Sequence, residues 1–192
     1  MFLNLENIDI PFFEAREDLE TWLLKYSGIR LWHATRAVDI NDIRIEGLKV
    51  PVKHELDDRL LKILQSKPWY TDEVESIIRA QPLDRGESPA VYTVVDKNDL
   101  SLSGVDHYKK YGSEYWQFLL NVLFRKGYGV GREMLCELGC SYILGLDIKW
   151  KELCFHEKES LVDSIYENDI HNCSIALFQD VSAEAVSSIE KC

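Results

Sequence analysis

The chain has 192 residues and is 46% hydrophobic, enough for one domain of ordinary size with a sizeable core, whereas two domains would each be small. Lys plus Arg number 22 and Asp plus Glu 33, and the resulting net charge of −11 argues against non-specific nucleic-acid binding, which rests on basic groups neutralising phosphates. Five cysteines without a CxxC pair, an amino-terminal stretch without a basic or long apolar segment, and no apolar run near the ~20 residues of a membrane span together predict a soluble protein of the reducing cytosol, without membrane partners.

In chain order, residues 1–28 read as an amino-terminal helical segment, with Phe12, Ala15, Leu19, Trp22 and Leu23 at helical spacing and Gly28 as its end. Ile29 to His33 reads as a short strand. Asp39 is a plausible N-cap for a helix carrying Ile40 and Ile43, and Gly47 is a natural stop. Residues 54–89 read as a helical insertion: one helix from Glu55 to Ser66, a turn at Lys67–Tyr70, a second helix from Asp72 to Ala80 capped by Thr71, and a loop over 81–89. The β-branched and aromatic run Ala90 to Val95 is the second strand.

The most apolar helix begins near Ser113, with Trp116, Leu119, Leu120, Leu123 and Phe124 on it and Gly127 as its stop. A short helix over 131–138, a strand over 141–148, a helix or ordered loop over 158–166 and a strand over 171–178 follow. Ser182 caps an expected terminal amphipathic helix reaching Ile189. Strands that do not alternate regularly with helices favour a single α+β domain over residues 1–192 rather than a doubly wound sheet.

Two constellations stand out. In an extended strand His33 and Thr35 point to one side; an imidazole and a hydroxyl there can hold a ribose hydroxyl or carboxamide, and Arg36 can pair with a phosphate. The bland alternative is a histidine bonded to a neighbouring loop. Downstream, His107 to Glu114 places Tyr108 and Tyr111 three residues apart, an aromatic wall for a flat ring if helical, with Glu114 continuing that side. Its bland alternative is a capped helix with core-flanking tyrosines. The cysteines and histidines lack zinc-site spacing, so no metal is expected, and Gly127 to Gly131 follows a helix rather than a strand, unlike a dinucleotide-binding fingerprint.

The stretch Leu31 to Arg36, the helix ending Glu46-Gly47-Leu48, the strand Val91-Tyr92-Thr93 and the block His107-Tyr108 to Tyr111-Gly112-Ser113-Glu114 resemble a group of bacterial proteins. That group is in turn similar to the ADP-ribosyltransferase fold of the diphtheria-toxin and poly-ADP-ribose-polymerase type. The resemblance implies split mixed or antiparallel sheets with flanking helices, NAD as the cofactor, and transfer of ADP-ribose to an acceptor, a protein or small molecule ahead of a nucleic acid. It implies catalytic roles for His33 and Glu114, and cofactor contacts from His33, Thr35, Arg36, Tyr92, Tyr108 and Tyr111. The late strand over 171–178 contains no glutamate where the family carries its catalytic acid, and Glu114 is the substitute. An RNA 2′-phosphotransferase-like enzyme, using Arg36, Arg125 and Arg132, and an inactive nucleotide- or partner-binding module are the alternatives.

Overall fold

The computed structural model describes residues 1–83, 89–102, 107–171 and 173–192. Among them the elements run β1 (Phe2–Leu3), α1 (Arg16–Leu23), β2 (Gly28–Ala37), α2 (Ile40–Glu46), α3 (Lys53–Leu64), α4 (Asp72–Arg79), β3 (Val91–Val94), α5 (His107–Tyr111), α6 (Glu114–Arg125), β4 (Cys140–Lys149), α7 (Phe155–Tyr166), β5 (Ser174–Leu177) and β6 (Val186–Lys191). The fold is α+β, built on one six-stranded sheet in the order β5-β3-β2-β4-β6, with β1 added parallel to β2 and every other pair antiparallel. No helix among the described residues is long and apolar enough to cross a membrane. Parts of the expected loops, residues 84–88 and 103–106, lie outside the described residues.

Strand β2 is the centre of the sheet. It pairs with β4 along its whole length, from Gly28 opposite Lys149 to Ala37 opposite Cys140. Its other edge is shared: β1 takes Gly28 and Ile29, and β3 meets it at Trp32 opposite Val94. Beyond that point β3 continues beside β5 and no longer pairs with β2. The strand therefore runs well past the Ile29 to His33 expected from sequence, and His33 lies inside it rather than at its end.

Alternation along β2 sorts its side chains onto two faces. Ile29 and Leu31, beside Ile148 and Leu146 of β4, join Leu19 and Leu23 of α1 and Leu161, Val162 and Ile165 of α7 in the main core. On the opposite face Trp32 and Ala34 pack with Val94, Leu100 and Ile143 in a smaller cluster, against which Tyr108 rests. Arg16 fastens α1 to α7 through Glu159 at 2.7 Å and Asp163 at 2.6 Å. The inserted helices build a third cluster of their own with α6: Leu60, Leu61 and Leu64 meet Val74, Ile77 and Ile78, and Leu119, Leu120 and Leu123. That cluster is why α6 is the most apolar helix, although Phe124 on its outer side is 60% exposed.

Two expected elements take other forms. The segment after Ser182 makes only one 3-10 turn, Ala183–Ala185, and then becomes β6, paired with Tyr142 to Leu146 of β4. Val186 and Ile189 share a helical spacing, but the open edge of β4 offers a row of backbone partners that overrides it. Residues 132–137 form a 3-10 helix, and the helix-or-loop segment is α7. At the end of α2, Gly47 adopts φ +80° and ψ −161°, a region open in practice only to glycine. A Cβ there would lie 1.9 Å from the Val181 carbonyl, because Leu48 bridges to Val181.

Candidate functional site around the central strand

His33 occupies the place where β3 leaves β2. Its Nδ1 lies 2.7 Å from the Tyr92 carbonyl oxygen. A carbonyl only accepts, so Nδ1 carries the proton and the neutral ring presents Nε2 as an acceptor. Desolvation pushes the imidazole pKa below its ordinary value, and the bond to Tyr92 offsets this only in part, so the ring is neutral at pH 7. His33 stands opposite Leu144 and Thr35 opposite Tyr142, all on the main-core side of the sheet. His33, Thr35 and Tyr142 each remain half-buried.

The second constellation lies across the sheet from this group. Helix α5 packs against the face that carries Trp32, Ala34 and Arg36. There Glu114 Oε1 accepts from the Tyr108 hydroxyl at 2.9 Å and lies 3.2 Å from His107 Nε2, forming a local cluster around the start of α6. The two tyrosines part company: Tyr108 rests on the Trp32 cluster, while Tyr111 is buried in the helical cluster with the Arg132 guanidinium 4.7 Å from its ring centre. They do not form one wall, and Glu114 does not stand beside His33.

Arg36 is committed to the backbone. Nε donates to the Leu138 carbonyl at 2.7 Å, one terminal nitrogen to the Ser141 hydroxyl at 2.9 Å and the Lys110 carbonyl at 3.3 Å, and the other to Gly139 at 3.0 Å and Cys136. It pins the loop before β4 and the end of α5 to β2. Gly112, at φ +72°, makes this possible, since a Cβ there would press on the Arg36 Cβ at 3.0 Å. Tyr92 gives its carbonyl to His33, while its side chain is 42% exposed.

Two features escape sequence reading. Tyr142 stands beside Thr35 only through the β2–β4 register, which no local pattern reveals. The second is a meeting of Asp96, Asp99 and His171, whose ligand atoms all lie within 4.8 Å of one another. Their spacing in the sequence matches no metal motif; the antiparallel pairing of β3 with β5 brings them together. Asp96 also lines a cleft of about 570 Å³ whose walls include Glu6, Lys97 and Ile143. Glu6 accepts the Lys97 N–H at 3.2 Å, and burial raises its carboxyl pKa above the ordinary value. No family model, curated protein or solved structure matches this chain.

Proposed function

We propose that this chain is an ADP-ribosyltransferase-like protein that binds the nicotinamide-ribose end of NAD at His33 and Thr35, as a nucleotide-binding module. The observation that carries the reading is the His33–Thr35 pair on one face of the central strand, with a neutral imidazole whose Nε2 is an acceptor. The pair is followed by α2 and the Gly47–Leu48 turn, the order that the resemblance implies. An acceptor nitrogen and a hydroxyl suit ribose hydroxyls and a carboxamide, and Tyr142 supplies the aromatic surface beside them.

The residues fit binding better than transfer. Glu114 is held by Tyr108 across the sheet, so no acid expected from sequence reaches the His33 side, and no transfer step is assigned. The phosphotransferase alternative has less support, because Arg36 is spent on carbonyls and Arg132 packs on Tyr111.

Calorimetric titration with NAD tests the proposal. Wild type binds, His33→Ala weakens binding about tenfold, the worth of one good hydrogen bond, Thr35→Val weakens it less, and Glu114→Gln leaves it unchanged. Absence of NAD binding, or equal affinity in His33→Ala, overturns the site. Nicotinamide release that disappears in Glu114→Gln overturns the restriction to binding.

A further inference from the structure

We infer that Asp96, Asp99 and His171 form a binding site for one divalent transition-metal ion where the turn after β3 meets the segment entering β5. The ligands come from two segments that the sheet aligns. Val94 pairs with Ser174 and the Val95 N–H bonds the Cys173 carbonyl, so the turn after β3 lies against the segment entering β5.

The separations suit a shared ion. His171 Nδ1 is 3.1 Å from Asp96 Oδ2 and 3.5 Å from Asp99 Oδ1. An ion with ligands at about 2.1 Å sets neighbouring ligand atoms about 3.0–3.5 Å apart in octahedral or tetrahedral arrangements.

Charge points independently to a cation. Asp96 is 7% and Asp99 2% exposed, and although Asp96 Oδ1 accepts the Asn98 N–H at 2.8 Å, an ion shared by two such buried carboxylates offsets their desolvation further. Glu6 is a second carboxyl, beside Asp96, in the cleft wall. Lys97, the cation among the described wall residues, directs Nζ to Glu190 at 2.5 Å and over the Trp32 ring. The carboxylates beside the imidazole are thus those of Asp96 and Asp99. Two carboxylates with one imidazole favour Mn²⁺ or Zn²⁺, whereas Mg²⁺ prefers all-oxygen ligands and retained waters.

Titration of the chelator-treated full chain with MnCl₂, followed by the loss of the free Mn²⁺ paramagnetic resonance signal, tests this without reference to NAD. One Mn²⁺ binds per chain and a tenfold excess of MgCl₂ leaves it in place. His171→Ala weakens binding at least tenfold, and Asp96→Asn and Asp99→Asn abolish it. The His171 side chain is 66% exposed, so its removal spares the fold, as circular dichroism checks. No bound Mn²⁺ in wild type, displacement by the MgCl₂, or equal affinity in a folded His171→Ala overturns the inference.

Discussion

At the scale of single residues, Asp57 in α3 shows how much depends on one buried charge. It is 1% exposed, and its two oxygens are taken by Lys53 Nζ and by the Tyr115 hydroxyl at 2.8 Å. Burial, and then the neighbouring carboxylate, hold the Tyr115 phenol well above its usual pKa, so it remains a donor. Removing the cation strands a buried carboxylate, whereas removing the hydroxyl costs one hydrogen bond. In urea unfolding, Lys53→Met therefore loses about 3 kcal/mol and Tyr115→Phe about 1 kcal/mol. The reverse order would show that Lys53 contributes little despite its geometry. Asp57 was not legible as a core residue, because an aspartate in a helix ordinarily faces water and its partner Tyr115 lies 58 positions away.

At the scale of elements, the turn after α2 is the most constrained junction described. With φ +80° at Gly47 and the Val181 carbonyl filling the place of a side chain, Gly47→Ala combines a disfavoured backbone with a steric collision. Thermal or urea unfolding is expected to show a loss of about 2–3 kcal/mol, and a loss below 1 kcal/mol would mean that the Leu48–Val181 bridge yields readily. This unit was readable in advance, since Asp39 and Gly47 mark its ends by local chemistry; Asp39 accepts the Asn41 N–H at 2.9 Å. The strand β6 was not readable. Its residues tolerate either form, and the edge of β4 that selects between them lies about 45 positions earlier. The candidate site divided in the same way. Period-two alternation placed His33 and Thr35 together correctly, but the side from which α5 approaches depends on long-range packing, and that separates Glu114 from them.

At the scale of the whole molecule, the helical cluster of α3, α4 and α6 and the sheet differ in how far apart their partners lie in sequence. Nearer partners close smaller loops at lower entropic cost and assemble sooner. In pulse-labelled hydrogen exchange during refolding, amides of α3, α4 and α6 are expected to gain protection before those of β2 and β4; simultaneous protection would show one cooperative event. The central place of β2 has a further consequence during synthesis. Its partner β4 begins about a hundred residues after β2 ends, which at about 5 to 20 residues synthesised per second is on the order of 5 to 20 s. Throughout that interval Ile29, Leu31 and Trp32 leave the ribosome as an adhesive segment without its main neighbour. Slower translation of residues 38–139 prolongs that exposure.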